Sequence, residues 1–133
     1  MRLSAHLDEA VIAHADTTLD EMAHGCQSLT YAAVLTDDGF PVASLEYSAT
    51  NGDRFASMTS SIQALSDAVA RELRLGSSDY VIIASDAGHV IQLRITGQTM
   101  VLAALFDDRE TLGMSLAVAR RGATRLSDLL AQI

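Results

Sequence analysis

The sequence predicts an α+β domain, in which about five mainly antiparallel strands form one sheet with helices on its faces. Three observations support this fold class. Three stretches of the chain repeat apolar residues at steps of three and four, which is the spacing of an amphipathic helix. Between them lie short apolar runs separated by Asp/Gly turns, as in antiparallel hairpins. The order is helix, hairpin, helix, three-strand meander, helix, so it lacks the strand-helix alternation of a parallel sheet.

The first helix is predicted over residues 7–24. Its apolar residues follow the helical period, and its acids lie mostly on the other faces. Gly25 is placed to end this helix. Residues 29–36 follow as a mostly apolar, partly β-branched run, which predicts a central strand of the sheet.

A hairpin and the start of the long central helix come next. Residues 37–39 (Asp-Asp-Gly) have turn chemistry, so residues 40–47 are predicted to return as an antiparallel strand. Pro41 cannot donate a ladder hydrogen bond, which places this strand at an edge of the sheet. After a polar connection, Asn51 or Asp53 is expected to cap the central helix by accepting its free amide hydrogens.

The central helix carries two lines of side chains with helical spacing. The large apolar line consists of Phe55, Met58, Ile62, Leu65, Val69 and Leu73. The second line has only small side chains: Ser57, Ser61, Ala64 and Ala68. We expect the large line to pack on the sheet, because an apolar stripe has to be buried. The small line is then left to face either solvent or a second copy of the chain.

The central helix is predicted to end at Gly76, which can supply the left-handed residue past a helix terminus. A meander of three strands follows, over residues 80–84, 89–96 and 100–106. In its middle strand, Gln92 is predicted to alternate with the apolar residues that carry the burial.

The last helix is predicted over residues 110–130. Asp107, Asp108 or Thr111 is available to cap its first turn. Gly122 lies within this helix, where glycine costs about 1 kcal/mol relative to alanine. It therefore either bends the helix or admits a close neighbour, and it leaves the length of the helix open.

Composition excludes several classes of function. The chain has 133 residues, which argues for one domain spanning residues 1–133, and its formal net charge is −8, which gives no electrostatic basis for nucleic-acid binding. Every basic residue besides histidine is arginine, which removes mechanisms that need a lysine. The single cysteine, the absence of a secretory-type N-terminus and the absence of a long apolar run predict a cytoplasmic protein without membrane insertion.

Catalytic and metal-binding patterns are not supported. The four histidines (His6, His14, His24 and His89) match no ligand spacing. Ser115 lies two residues after Gly113, as the serine of a nucleophile elbow does, but it lies inside a predicted helix rather than at a strand-to-helix turn. Cys26 has only His24 nearby, and a buried unreactive cysteine is the commoner situation. We therefore predict no enzyme activity, no catalytic residue, no cofactor and no metal.

The strand over residues 80–84 is predicted to lie at an edge of the sheet with no charge to protect it. Unprotected apolar edges are normally paired. Together with the small line of the preceding helix, this edge predicts a symmetric homodimer. Its interface is expected to contain Ser57, Ser61, Ala64, Ala68, Tyr80, Val81 and Ile83.

Several of these stretches resemble a known family. They are residues 33–44 (apolar strand, Asp-Gly turn, strand ending in small residues), the Ala/Ser-rich central helix and residues 79–83. The closing strand over residues 100–106 and the helix that contains Arg120 and Arg121 complete the series. In order and spacing these stretches resemble the roadblock (dynein light chain) domain family, in its bacterial MglB-like branch.

The resemblance implies a five-stranded antiparallel sheet with the long central helix on one face and two outer helices on the other. It also implies homodimerisation through the central helix and third strand. Members of this family bind small Ras-like GTPases, and some stimulate GTP hydrolysis or serve as scaffolds. A regulator or scaffold that binds such a GTPase is therefore expected, with Arg54, Arg71 and Arg74 as candidate partner contacts.

Two alternatives remain open. One is a structural scaffold subunit that assembles with other roadblock-like proteins and contacts no GTPase. The other is a small-molecule sensor with His89 or Arg94 as a polar contact. The sequence does not name the GTPase or say whether its hydrolysis is stimulated.

Overall fold

A single five-stranded antiparallel sheet organises the chain. The computed structural model describes residues 4–45 and 52–133. Its strands are β1 (Leu29–Thr36), β2 (Pro41–Ser44), β3 (Tyr80–Ser85), β4 (Gly88–Arg94) and β5 (Met100–Asp107). They lie in the order β2-β1-β5-β4-β3, and every neighbouring pair is antiparallel. The predicted fold class is confirmed, with β2 and β3 at the two edges.

Three α-helices pack on this sheet: α1 (Glu9–Gly25), α2 (Gly52–Glu72) and α3 (Leu112–Leu130). The Asp8 carboxylate accepts the amide hydrogens of Ala10 and Val11 and so caps α1. Thr111 caps α3 in the same way, with its Oγ1 3.1 Å from the Met114 nitrogen. The first turns of two helices are thus stabilised by side chains that precede them.

Of the caps predicted as alternatives, Thr111 is confirmed for α3, and two others do not take that role. Asp107 belongs to β5, and its carboxylate binds Arg109 instead of the first turn of α3. Asp53 lies inside the first turn of α2, after the helix has begun at Gly52. The other candidate, Asn51, lies outside the described residues, as does the predicted extension of β2 to residue 47.

The face of the sheet that carries α1 and α3 contains the main hydrophobic core. Large side chains fill it, and those that are at most 1% exposed include Leu19, Ile91, Leu102, Phe106 and Leu126. Alternate residues of β1, β4 and β5 point into this layer, because strand side chains alternate between the two faces. Burial of this kind is the main stabilising term of a small domain.

The two helices on this face approach each other closely at Gly122. A Cβ built at Gly122 would lie 2.4 Å from the Met22 sulfur, which is closer than any real contact. α3 nevertheless runs unbroken from Leu112 to Leu130. Gly122 therefore admits a close neighbour and does not bend or shorten the helix.

The α2 side of the sheet differs from the prediction. Phe55 is buried as expected, but the other residues that α2 buries are Ala56, Thr59, Gln63 and Ala70. The rest of the large apolar line is directed away from the sheet, and Leu65 is 66% exposed. The expectation that the large side chains pack on the sheet was wrong, because helical spacing identifies an apolar face without identifying its neighbour.

The C-terminal end of α2 also differs. The helix ends at Glu72, and Arg74 adopts a left-handed conformation with φ 56°. The Leu75 amide donates to the Ala70 carbonyl and the Arg74 amide donates to the Arg71 carbonyl, which is the hydrogen-bond pattern of a Schellman motif. Arg74 thus takes the position predicted for Gly76, although Gly76 also has a positive φ of 84°.

Candidate functional site

The outward side of α2 is the most unusual surface of the molecule. We define the outer stripe as Met58, Ile62, Leu65, Val69 and Leu73. Four of these residues are between 46% and 66% exposed, and Ile62 is half-buried. Apolar side chains that are exposed next to one another mark interaction surfaces in soluble proteins. The outer stripe is therefore the leading candidate for a binding surface.

The edge strand β3 continues this surface. Val81 pairs with Gln92 and Ile83 pairs with Val90, so both side chains lie on the α2 side of the sheet. Ile83 is 46% exposed. Within residues 4–45 and 52–133, β3 has no strand on its outer side. An exposed helix face and an unpaired apolar edge thus lie side by side, and α2 contacts β3.

The predicted interface residues on α2 lie next to the outer stripe. Ser57, Ser61 and Ala64 are exposed, and Ala68 is half-buried. At about 100° per residue, the outer stripe falls between this small line and the buried face of α2. The exposed surface thus combines both lines of side chains, and it is more apolar than the sequence predicted.

Tyr80 lies apart from the other predicted interface residues. It pairs with Leu93, and its side chain is on the α1/α3 side of the sheet. The Arg120 guanidinium sits 5.1 Å from the centre of its ring and 3.5 Å from the Asp79 carboxylate. Arg120 therefore covers part of Tyr80, which is 40% exposed.

A buried hydrogen-bond network holds α2 on the sheet. The Gln92 amide nitrogen donates to Gln63 Oε1 at 3.1 Å and to the Thr59 carbonyl at 3.3 Å. Gln63 in turn donates to the Asp67 carboxylate at 3.1 Å. Gln92 is 1% exposed, and its own Oε1 has no hydrogen-bond partner. The network fixes the position of α2 by directed bonds, beside the apolar cluster that contains Leu35 and Phe55.

Arg94 extends the network to the first hairpin. Its guanidinium contacts Asp67 on α2 at 2.9 Å and both Asp37 oxygens at 3.0 Å. Ser60 also donates to the Asp37 carbonyl at 3.3 Å. The turn after β1, the strand β4 and the helix α2 are thus connected through polar side chains. Arg94 was a candidate ligand contact, and its guanidinium is already bound to two carboxylates.

The candidate partner contacts do not form one cluster. Arg54 lies in the first turn of α2, whereas Arg71 and Arg74 lie at its other end. The rise of a helix places Arg54 and Arg71 about 25 Å apart. All three are exposed. A partner that contacts all three has to lie along the whole length of α2.

The histidines and the cysteine form no recognisable catalytic group. His89 is buried, with its Nε2 2.7 Å from the Oγ of Ser115, which is 0% exposed. Cys26 is buried beside the Ser28 hydroxyl at 3.1 Å, and the ring of His24 instead contacts the Asp20 carbonyl. Across residues 4–45 and 52–133, no three His, Cys, Asp or Glu side chains are grouped to hold a metal ion.

None of the helices in the described part of the chain is long and apolar enough to cross a membrane.

Sequence reasoning missed the Gln92 network. The sequence pattern of β4 treated Gln92 and Arg94 as polar residues that alternate with buried apolar ones. Gln92 actually lies beneath α2, and Arg94 lies beside it. A usable signal was present on α2. Gln63 and Asp67 are four residues apart, which is the spacing of a hydrogen-bonded pair on one helix face.

The comparison with protein-family models identifies one family. The Roadblock/LC7 domain model matches residues 14–106. No curated protein sequence matches the chain. Among solved structures, the chain is similar to MglB of Myxococcus xanthus, with a TM-score of 0.85 and 13% sequence identity over 99% of this chain and 96% of that one.

Two further structures show the same likeness. The gliding protein MglB of Thermus thermophilus has a TM-score of 0.80 at 18% identity, over 95% of this chain and 94% of its own. An MglB described as having a tetrameric arrangement has a TM-score of 0.81 at 19% identity, over 94% of this chain and 93% of its own. At these identities, the structural likeness shows a shared fold.

Proposed function

Because the chain belongs to the Roadblock/LC7 domain family, we propose that it is a non-catalytic homodimeric regulator or scaffold that binds a small Ras-like GTPase. The observation that supports this proposal most directly is the outer stripe beside the open edge of β3. A monomer that exposes these side chains to water loses the free energy of burying them, and a partner that covers them recovers it.

The proposed dimer places two outer stripes against each other around a two-fold axis. The β3 strands then meet edge to edge and antiparallel, which pairs their free backbone groups. Burying the four most exposed side chains of each copy contributes on the order of 10 kcal/mol. That is comparable to the cost of association, about 4–15 kcal/mol. The small line allows the two α2 backbones to approach closely.

The proposed GTPase role rests on membership of the family. A regulator without catalytic groups can act by holding the switch segments of a GTPase in place while the GTPase supplies the hydrolytic machinery. In the dimer, two copies of α2 lie side by side and form a continuous surface. Arg54 and Arg71 are the side chains on α2 that we propose for contacts with an acidic partner.

A scaffold subunit that assembles with other roadblock-like proteins is the second candidate. The tetrameric arrangement described for one similar MglB favours assembly beyond a dimer. The same outer stripe and β3 edge suit a related partner of the same fold. Nucleotide-dependent binding separates this candidate from the first.

The first experiment measures the solution mass of the protein by light scattering. We expect a dimer for the wild type and a monomer for Ile83→Lys, since the introduced charge would be buried without a partner. Met114→Lys is the matched control, because Met114 is 49% exposed and lies on α3 at the other face of the sheet. A monomeric wild type contradicts the proposed interface. Equal dissociation of the Ile83→Lys and Met114→Lys variants contradicts it as well.

The second experiment tests the partner. Purified small Ras-like GTPases are loaded with GDP or a non-hydrolysable GTP analogue and titrated against the dimer. We expect one nucleotide state to bind more tightly, and the Arg54→Ala and Arg71→Ala variants to weaken that binding. Equal binding in both states, or binding only to other roadblock-like proteins, favours the scaffold.

A further inference from the structure

A cleft lies between α1 and α3, on the side of the sheet away from the outer stripe. It has a volume of about 160 Å³. Glu21 and Met22 line it from α1, and Val118, Arg121, Gly122 and Arg125 line it from α3. The proposed dimer and GTPase contacts do not use these residues, so the cleft requires its own explanation.

The floor of the cleft is apolar and shaped by a glycine. Met22 and Val118 are 6% and 7% exposed, so they belong to the core and present only part of their surface. Gly122 has no side chain, and α1 approaches it so closely that an added Cβ would meet the Met22 sulfur. The two helices therefore meet at a closed base, and the cleft opens above it toward solvent.

The rim of the cleft carries an excess of one positive charge. Arg121 and Arg125 are four residues apart on α3, so their side chains lie on the same face of the helix. Among the described residues that line the cleft, Glu21 is the acidic one, and its carboxylate lies 3.4 Å from Arg125 Nε. Two arginines and one glutamate leave a net charge of +1, in a chain whose formal net charge is −8. A monoanion matches this local charge.

We propose that the cleft binds a small amphipathic carboxylate, with the carboxylate on Arg121 and the apolar part against Met22 and Val118. Guanidinium groups bind carboxylates by paired, charge-assisted hydrogen bonds. The volume equals about five water-sized groups, which is smaller than a typical cofactor pocket. It fits a branched carbon chain of four or five atoms. The carboxylate comes either from a free short-chain acid or from the C-terminal apolar residue of a peptide.

This site is independent of the proposed function, because it lies on the opposite face of the sheet. Loss of ligand binding at the cleft leaves the dimer intact, and loss of the dimer leaves the cleft intact. The two proposals therefore fail separately.

The test titrates the full chain with 3-methylbutanoate, and follows the Met22 methyl signal by NMR. The neutral amide of 3-methylbutanoate and inorganic phosphate are the comparison ligands. A peptide ending in Ala-Leu with a free carboxylate, and the same peptide with an amidated terminus, form the second arm. Arg121→Gln is the test variant, and Arg120→Gln is its matched control. Arg120 is adjacent in sequence but contacts Asp79 and Tyr80 outside the cleft.

We expect saturable binding of the carboxylate and none of the amide. Arg121→Gln is expected to weaken binding roughly tenfold or more, in line with a lost charged hydrogen bond, while Arg120→Gln leaves it unchanged. Binding of the acid identifies a free acid as the ligand class, and binding only of the free-carboxylate peptide identifies a chain terminus. No binding in either arm, equal loss in both variants, or phosphate binding as tight as the acid overturns the proposal.

Discussion

The two faces of the sheet are built from different kinds of side chain. On the α1/α3 face, large aliphatic and aromatic residues such as Leu102 and Phe106 fill a continuous core. On the α2 face, the sheet presents alanines at Ala33 and Ala103, and its hydrogen bonds run through Gln92. One face is held by a large apolar core, and the other by a smaller apolar cluster together with directed polar contacts.

This difference explains where the large residues of α2 go. The sheet beneath α2 presents a smaller apolar cluster around Tyr31 and Leu35, and apart from Phe55 the helix sits on it with small and polar side chains. Hydrogen bonds have strict geometry, and the Gln63–Gln92 pair therefore sets the position of α2 more narrowly than apolar packing does. The side chains of the α1/α3 face are buried within the domain, while the α2 face leaves its outer stripe exposed.

The largest expected effect on the free energy of unfolding comes from a comparison of one leucine on each face of the sheet. Leu126 on α3 is 0% exposed and Leu65 on α2 is 66% exposed. In the Ile83→Lys background, where dimerisation does not contribute, Leu126→Ala is expected to lower the free energy of unfolding by about 3 kcal/mol. Leu65→Ala is expected to change it by less than about 0.5 kcal/mol. Urea unfolding measures both, and equal losses would show that the outer stripe is buried in the monomer.

A smaller effect tests the polar side of the comparison. Asp67→Ala removes the acceptor that Gln63 and Arg94 share. We expect a loss of about 1 kcal/mol, because the ion pair is partly exposed, and a smaller loss in 1 M salt, where exposed charges are screened. Asp16→Ala, an exposed change on α1, is the control and should be nearly neutral. A salt-independent loss would mean that the Gln63 hydrogen bond, and not the ion pair, carries the effect.

The smallest expected effect has the opposite sign. Arg74 is held at φ 56°, a conformation that glycine adopts without the steric cost of a side chain. Arg74→Gly is therefore expected to raise the free energy of unfolding by about 0.5–1 kcal/mol. Arg71→Gly, inside the last turn of α2, should lower it by about 1 kcal/mol. Thermal unfolding of both variants checks this, and a destabilised Arg74→Gly would show that the side chain of Arg74 stabilises the helix end.

Local signals predicted most of the sheet. β1 begins and ends at the predicted residues 29 and 36, since an apolar run bounded by Gly25 and an Asp-Gly turn is defined by its own sequence. Pro41 correctly placed β2 at an edge, because the constraint belongs to the residue itself. The predicted position of β3 at the other edge of the sheet is also confirmed.

The orientation of α2 was not predictable from the same kind of signal. Helical spacing gives the angle between side chains, but the choice between sheet and partner depends on what the sheet presents. Beneath α2 the sheet presents Ala33, Ala103 and Gln92 in three neighbouring strands, of which β1 is far from β4 and β5 in sequence. Only their antiparallel register brings them into one row. The interface on β3 and α2 stays a prediction, and the exposed Leu65 and Val69, which we add to it, were assigned to the core.

The order of the strands also determines when the protein can fold during synthesis. β1 lies between β2 and β5, and Ala33 pairs with Ala103 across 70 residues of sequence. The centre of the sheet therefore closes only after β5 has left the ribosome, although the first hairpin is complete long before. Such distant pairings slow folding. Until β5 arrives, the apolar strand β1 has one unpaired edge, and the growing chain is most exposed to mispairing in that interval.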